Sequence, residues 1–449
     1  MEPPGLDGQL ERKGAIVVFL AFAVAYFLSA LVRAITATLS PVLTQDFALH
    51  ARDLGLLAGG YFLGFAVTQL PLGTWLDRYG PKKVILCFLA VAVLGCLAFS
   101  MATSFVWLLA ARVLVGMGVS ACLMAPLTGY RRWFDGATQL RANSWMLMTG
   151  SLGMLASTLP VQWLMPLLGW RPLFWMLAAM IFLSMVLIAW VVPGWAPTLV
   201  ASRAFGGALP LSRRRGANFP GGGPSENSAL SLAVSDVAPP FSAPPSYAQI
   251  WRNRYFQSLA PLGFFSYGGM VAMQTLWAGP WMVRVAGYTP LQAATGLFWI
   301  NATMLCTFWT WGMVNPWLAQ RGWNTNRLLT WGVPSSLVML AINIAAGPAT
   351  GWPGWALFCM CSSFMGLSQP AVGMAFPAAL AGRALSAYNL VIFAGVFVVQ
   401  WGIGLLIDAF RAVGLGEVLS FQAAMGVFLC CCIASYAYFL SVKTDNSLQ

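Results

Sequence analysis

The chain contains almost no charge over stretches long enough to cross a membrane. Eleven stretches of 18 residues or more lack Asp, Glu, Lys and Arg, and only 8% of all 449 residues are charged. A soluble domain carries about 25% charged residues, and a helix of about 20 apolar residues spans the hydrocarbon core of a bilayer. The sequence therefore predicts an integral membrane protein built from α-helices.

Glycine, proline and tryptophan divide the longest stretches, which gives twelve predicted membrane spans. The first span follows Arg12 and Lys13 and resembles a signal peptide. It continues without a break to Pro41, so an uncleaved first helix is favoured. The predicted spans are 14–40, 54–76, 84–102, 106–130, 142–167, 172–192, 254–283, 291–319, 328–348, 353–378, 387–410 and 417–441.

The net charge of +12 is distributed unevenly between the two sides of the predicted membrane. With the N-terminus inside, eighteen of the 24 Lys and Arg residues fall in cytoplasmic segments, and four at most fall outside. This asymmetry follows the positive-inside rule, so both termini are predicted to lie in the cytoplasm. The basic charge therefore indicates membrane topology, and no nucleic-acid partner is expected.

The residues that most often build catalytic or metal centres are scarce. All nine cysteines fall inside predicted spans without the spacing of a disulfide framework or zinc site, and His50 is the single histidine. No nucleophile and base stand in a recognisable arrangement. We therefore expect neither an enzyme nor a bound metal or cofactor.

The chain divides into two halves of six spans each. Residues 195–253 are rich in Gly, Pro, Ser and Ala, a composition typical of a flexible linker. The predicted order is a cytoplasmic N-terminal segment, a first six-helix bundle, a cytoplasmic linker, a second six-helix bundle and a cytoplasmic tail. These parts are 1–13, 14–194, 195–253, 254–441 and 442–449.

The two halves show weak internal similarity. Tyr26 and Arg33 of span 1 correspond to Tyr267 and Gln274 of span 7, in both cases 241 residues later. An even number of spans in each half gives both halves the same orientation in the membrane. The predicted fold class is therefore an all-α polytopic membrane protein with two parallel six-helix repeats.

The stretch GTWLDRYGPKK, between spans 2 and 3, concentrates four charges in seven positions. Its glycines allow close approach of neighbouring helices, and its two lysines follow the positive-inside rule. Asp77 adds little to topology, but a helix N-terminus stabilises a nearby carboxylate by about 0.3–1 kcal/mol at a surface. The residues that stand out in this stretch are therefore Gly73, Asp77, Arg78, Gly80, Lys82 and Lys83.

This loop resembles the signature loop of the major facilitator superfamily, which reads Gly-x-x-x-Asp-Arg-x-Gly followed by two basic residues. The segments RVLVGMG at 112–118 and GWR at 169–171 add to the resemblance. The resemblance implies transport by two helical bundles that rock about a central site. It also implies that these six residues form a gating motif, in which Asp77 holds the cytoplasmic N-terminus of span 11, near Ser386, in the outward-facing state.

Arg33 and Arg112 are the two cations inside predicted spans. An intramembrane arginine costs about 2.5–3.5 kcal/mol on insertion scales, and no acid lies deep in any predicted span. Because a guanidinium pairs well with a carboxylate or phosphate, an anionic substrate is expected on Arg33. Alternatively, these arginines bond to backbone carbonyls, or one of them pairs with Asp46 or Asp408.

The repeat-matched tyrosines and amides complete the predicted site. Tyr26 and Arg33 are seven residues apart and share one helix face, as do Tyr267 and Gln274. In the resembling family, spans 1 and 4 line the central cavity. The predicted substrate-binding residues are Tyr26, Arg33, Arg112, Asn143, Tyr267, Gln274 and Asn389.

The leading hypothesis is a secondary or facilitative transporter of a small organic anion, either a carboxylate or a phosphorylated metabolite, working by alternating access. The lack of a deep carboxylate favours anion exchange or facilitated diffusion over proton coupling. One alternative is efflux of drugs or amphipathic cations, and another is a transporter-like metabolite sensor. We expect a monomer in the bacterial inner membrane, with a small-molecule substrate and the lipid bilayer as partners.

Overall fold

A computed structural model describes residues 10–194 and 247–442, so that residues 1–9, most of the predicted linker and the tail from 443 lie outside the described part. The described residues form twelve membrane-length helical segments, numbered α1 to α12 in chain order. They are Arg12–Phe47, Ala51–Tyr79, Pro81–Met101, Phe105–Trp133, Gly136–Ala156 with Leu159–Leu168, Trp170–Val191, 254–284, Pro290–Gln320, Thr325–Ala346, Trp352–Met374, Ala378–Ala412 and Glu417–Ser441.

Nine helices of the described part are long and apolar enough to cross a membrane. A tenth is α5, whose two pieces are bent by 43°. The remaining two segments are α7, which consists of several consecutive helical pieces, and α8, a helix of 31 residues. The structure thus agrees with an all-helical, multi-pass membrane protein.

Several helices extend beyond their predicted ends. α1 continues past Pro41 to Phe47, and α11 begins at Ala378 rather than at 387. The short helix Tyr247–Arg252 falls within the predicted linker 195–253, but its Ile250 is buried in a cluster with residues of α7 and α11. The second bundle therefore includes this short helix, because an apolar side chain fixes it to the bundle.

The bundle has two faces, which we call the terminal face and the distal face. On the terminal face, the backbone N–H of Leu10 donates to the carbonyl of Trp133 at the end of α4. Phe439, near the end of α12, packs in one cluster with Phe256 at the start of α7. The distal face is the opposite end, where residues 48–50 connect α1 to α2.

The two halves meet through four helix pairs: α1 with α7, α1 with α8, α2 with α11, and α5 with α8. The antiparallel pair of α2 and α11 is packed backbone to backbone at the distal face. A Cβ atom on Gly55 would overlap the carbonyl of Gln400, and one on Gly404 would overlap the carbonyl of Ala51. Side chains larger than hydrogen would therefore force these two helices apart at the distal face.

The seventh helix is irregular at the level of the predicted site. Two of its turns, Gly263–Tyr267 and Met273–Trp277, are π-helical, with a short α-helical piece between them. π turns are rare and are frequent at functional sites. The repeat-matched residues Tyr267 and Gln274 each lie within one of these turns.

Candidate functional site

The side chain of Arg33 lies inside the bundle among tyrosines. Its guanidinium is within interaction distance of the hydroxyls of Tyr26, on the same helix, and Tyr61 on α2. Tyr267, from the second half, is in electrostatic reach of both Tyr26 and Arg33. The structure therefore brings together three predicted site residues, Tyr26, Arg33 and Tyr267, and adds Tyr61 to them.

Several polar atoms around Arg33 have no hydrogen-bond partner in the described part of the chain. They are Arg33 Nε, Ser29 Oγ and the Tyr61 hydroxyl, and all three are buried. Buried polar groups in proteins are normally paired, because each unpaired one costs about 1–3 kcal/mol. A cluster of unpaired donors and acceptors around a guanidinium is what a site for a polar anion requires.

The sequence analysis missed Ser29 and Tyr61. Ser29 is four residues before Arg33, so the two share a face of α1, and that spacing could have identified it. Tyr61 is on another helix, and no spacing rule connects it to Arg33. Its position follows from Gly116 on α4, since a Cβ atom on this glycine would overlap the Tyr61 backbone carbonyl.

Arg112 is bound to the backbone of α1. Its Nη1 donates to the carbonyl of Val32 at 2.9 Å and its Nη2 to that of Arg33 at 3.2 Å. The guanidinium also lies 5.1 Å from the ring centre of Tyr61. Arg112 thus bonds to backbone carbonyls, which the sequence analysis considered as an alternative to substrate binding. These bonds fix the segment of α1 that carries Arg33.

The two acids considered as partners for these arginines have other contacts. Asp46 accepts a hydrogen bond of 2.7 Å from the indole Nε1 of Trp170. Asp408 accepts from backbone N–H groups of α2. In the part of the chain that the structure describes, neither Arg33 nor Arg112 forms an ion pair with a carboxylate.

The predicted amides form contacts between helices. Gln274 Nε2 donates to Asn301 Oδ1 at 3.0 Å, which connects α7 to α8. Asn389 Oδ1 accepts from Gln369 Nε2 at 2.6 Å, which connects α11 to α10. Asn143 on α5 has a buried Oδ1 with no hydrogen-bond partner among the described residues. The structure therefore places Gln274 and Asn389 in amide pairs that connect neighbouring helices.

The ring of Tyr26 packs directly against Gly150 on α5. A Cβ atom there would lie 2.5 Å from Tyr26 Cε1, whereas one on Gly426 of α12 would have no neighbour within 4 Å. We expect Gly150→Ala to lower the melting temperature, since overpacking costs about 1–3 kcal/mol. Gly426→Ala should leave it equal or higher, because alanine favours the helix by about 0.5–1 kcal/mol. Equal melting temperatures for the two variants would contradict this packing.

The predicted gating motif lies at the terminal end of α2. Asp77 and Arg78 are exposed, and Asp77 forms no ion pair with any residue in the described ranges. A Cβ atom on Gly73 would lie 4.0 Å from Ser386 Oγ, so α2 passes close to α11 here. Because α11 begins at Ala378, its N-terminus is about 12 Å along the axis from Ser386, contrary to the predicted position.

The basic and glycine positions of the motif connect it to α3. Gly80 has a φ of 79° and joins α2 to α3, a conformation that L residues with side chains rarely adopt. Lys82 Nζ donates to the carbonyl of Val192, just past the end of α6, at 2.7 Å. Lys83 is exposed. These residues therefore shape the connection between the helices, while Asp77 remains free to act on a neighbour.

The distal face carries a carboxylate contact that the sequence analysis did not predict. Asp408, near the end of α11, accepts from the backbone N–H of Ala51 at 3.3 Å and from that of Arg52 at 3.0 Å. These amides belong to the first turn of α2 and have no partner within that helix. Asp408 therefore caps α2 across the interface between the two halves.

Comparison with known proteins supplies the family context for this geometry. Residues 22–400 match the family model of the Major Facilitator Superfamily. The 4-hydroxybenzoate transporter PcaK of Pseudomonas aeruginosa is 29% identical over 157 residues, which are 35% of each chain. The gallate transporter of Pseudomonas putida is 25% identical over 279 residues, covering 60% of this chain and 59% of the relative. The chain thus spans less than two thirds of each of these relatives.

Among solved structures, a bacterial homologue of the human lysosomal transporter Spinster is similar over nearly the entire chain. It was solved in an inward-facing and unoccupied conformation, and the TM-score is 0.70. The two chains are 16% identical, and the match covers 98% of this chain and 100% of the other. A likeness at that identity concerns the fold alone.

Proposed function

Because this chain belongs to the major facilitator superfamily, we propose that it is a transporter of a small organic anion, and specifically of an aromatic carboxylate. The observation that carries the proposal is the partly buried Arg33 guanidinium, which has tyrosine hydroxyls around it and no carboxylate partner in the described residues. An intramembrane cation is stabilised most by an anion, and the substrate would supply it.

The surroundings of Arg33 suit a ring that carries a carboxylate. A carboxylate accepts hydrogen bonds only, and Arg33, together with the hydroxyls of Tyr26 and Tyr61, supplies donors. The ring of Tyr267, which is only partly buried, also offers a flat apolar surface, on which an aromatic ring packs in offset or edge-to-face geometry. Charge and shape therefore favour an aromatic acid over a phosphorylated metabolite.

The names of the relatives agree with this substrate class. Both 4-hydroxybenzoate and gallate are hydroxylated benzoates, in which a carboxylate is attached directly to an aromatic ring. Both relatives come from bacteria, and we infer a bacterial inner membrane with the terminal face toward the cytoplasm, as the positive-inside asymmetry predicts.

The contacts between the halves support a transport cycle in which α2 and α11 act at both ends. We assign the described state to the inward-facing conformation, because Asp408 caps α2 at the distal face while Asp77 is exposed at the terminal face. In the outward-facing conformation the roles exchange, and Asp77 approaches the N-terminus of α11. One carboxylate thus stabilises each closed face in turn.

A ligand screen with flux measurement tests the proposal. The melting temperature of the purified protein is measured separately with benzoate, 4-hydroxybenzoate, gallate, glycerol 3-phosphate and the cation ethidium. An unheated sample is reconstituted into vesicles for uptake of labelled 4-hydroxybenzoate. We expect the aromatic acids to raise the melting temperature, since a ligand at 100 times its Kd adds about 2.7 kcal/mol of stability. Uptake should saturate and should be inhibited by the other benzoates.

Other outcomes would select the alternatives. Stabilisation by ethidium alone would indicate cation efflux, a role for which the described spans provide no deep acid: Asp46 and Asp408 both lie toward the distal ends of their helices. Stabilisation by an aromatic acid without flux would indicate a sensor. Stimulation of uptake by the same acid preloaded inside the vesicles would support anion exchange, whereas dependence on a pH gradient would contradict it.

A further inference from the structure

A large groove lies on the second half, away from the candidate substrate site. Helices α8 and α9 each pack against α10, and the groove lies between them with a volume of about 600 Å³. That volume is within the range of about 300–1,000 Å³ of small-molecule sites. Its lining includes Trp299, Cys306, Trp311, Trp331, Met360 and Phe364.

The groove presents almost no polar group to a ligand. The hydroxyls of Thr303, Thr307 and Thr310 donate to carbonyls of their own helix at 2.7–3.0 Å. The indole N–H of Trp311 donates to Ser363 Oγ at 2.8 Å. An occupant therefore meets hydrocarbon and aromatic surface, and its hydrogen-bonding groups would find no partner along this length.

The groove opens toward the lipid and not toward the interior of the bundle. At 3.6 residues per turn, Trp299 and Cys306 lie about 140–160° around α8 from Asn301. Asn301 is buried and faces α7 through Gln274. On the other side of the groove, Trp331 is 73% exposed. When the helices span the bilayer, this apolar groove therefore faces the acyl chains of the lipids.

Two arginines lie at the terminal end of the groove, in and just after the turn from α8 to α9. Arg321 lies 3.8 Å from the ring centre of Trp317, and Arg327 lies 5.9 Å from that of Trp323, which lines the groove. Both arginines are exposed, and neither is within 4.0 Å of a carboxylate in the described ranges. The apolar groove thus ends in two unneutralised positive charges.

We propose that this groove is a binding site for an anionic phospholipid. One acyl chain lies along the groove between α8 and α9, and the phosphate of the headgroup pairs with Arg321 and Arg327. Basic residues beside transmembrane helices on the cytoplasmic side bind anionic headgroups, and that leaflet carries the anionic lipids. The terminal face, which the positive-inside asymmetry assigns to the cytoplasm, is the side where these arginines lie.

Native mass spectrometry of the detergent-purified full chain tests this site directly. The protein is titrated with phosphatidylglycerol and with phosphatidylcholine of identical acyl chains, and the binding constants of the first lipid are compared. We expect phosphatidylglycerol to bind about tenfold or more tightly, given two cations near the headgroup. Arg321→Gln/Arg327→Gln should remove this preference, whereas Arg252→Gln/Arg254→Gln, which removes the same charge elsewhere on the terminal face, should preserve it.

A second variant examines the apolar part. Thr307→Trp fills the groove while it retains both arginines, and it should weaken binding of both phospholipids. Glycerol 3-phosphate, which has the phosphate but no acyl chains, should not compete. Equal affinities for the two lipids in the wild-type protein would overturn the proposal, as would an unchanged preference in the Arg321→Gln/Arg327→Gln variant. Effective competition by glycerol 3-phosphate would assign the arginines to a soluble anion instead.

Discussion

Arg33→Gln is expected to abolish uptake of the aromatic acid while the protein still folds. The variant removes the charge that pairs with the substrate carboxylate, and hydrogen bonds to charged groups contribute about 1.5–3 kcal/mol. At 1.4 kcal/mol for each factor of ten, the affinity should fall about 10–150-fold. Arg33→Lys should recover only part of it, because an ammonium does not reproduce the bidentate geometry of a guanidinium.

The matched control is Arg112→Gln, which removes the other intramembrane arginine. Because Arg112 donates to the carbonyls of Val32 and Arg33, its loss should lower the melting temperature of the ligand-free protein. The Nε of both arginines is buried and unpaired, but among the described residues no backbone carbonyl accepts a hydrogen bond from Arg33, so its replacement should have a smaller effect on the ligand-free protein. If Arg33→Gln left both the ligand-induced stabilisation and uptake unchanged, the substrate would be bound elsewhere.

Asp408→Asn is expected to shift the equilibrium between the two conformations. The amide keeps one acceptor oxygen but loses the charge that the N-terminus of α2 stabilises, an interaction of up to about 2 kcal/mol when partly buried. The population of the distally open state relative to the closed state should therefore rise by up to about thirtyfold. Hydrogen exchange should accelerate at Ala51 and Arg52, whose N–H groups contact Asp408, and also in the distal part of α7.

The control for this variant is Asp46→Asn. Asp46 accepts from Trp170 within the first half, so its replacement should leave the contact between the halves closed. Exchange that accelerates only at the first turn of α2, with residues 273–284 unchanged, would show that Asp408 is a local cap. Asp77→Asn should instead raise the population of the inward-facing state, because the proposed cycle assigns the Asp77 carboxylate to the outward-facing state.

The sequence was sufficient for the family and for the fold class. Charge-free stretches, divided at glycine, proline and tryptophan, indicate the membrane spans, and the loop around Asp77 has a recognisable pattern. The family match confirms the predicted family, and the helical structure confirms the predicted fold class. Helix ends were less predictable. Residues 378–387 continue α11 because they are mostly alanine and leucine, which favour a helix, and contain no proline.

The candidate site was only partly accessible to sequence reasoning. Arg33 could be selected because an intramembrane cation is rare and costly, and its role in substrate binding stays a prediction. Tyr61 was not identifiable, since its position beside Arg33 depends on how α2 packs against α1 and α4. The contact of Asp408 was equally hidden, because its partners are backbone amides that every helix N-terminus possesses.

The two π turns of α7 have a mechanical consequence. A π turn contains one residue more than an α turn, so its conversion to α geometry would rotate the following segment by about 100° and shift it by about 1.5 Å along the axis. Relaxation of the turn Met273–Trp277 would rotate the distal end of α7, where Trp281 packs on Phe421 of α12, while residues 254–272 stayed in place. Through this rotation, Gln274 could exchange its partner Asn301 for a substrate without any loss of helical length.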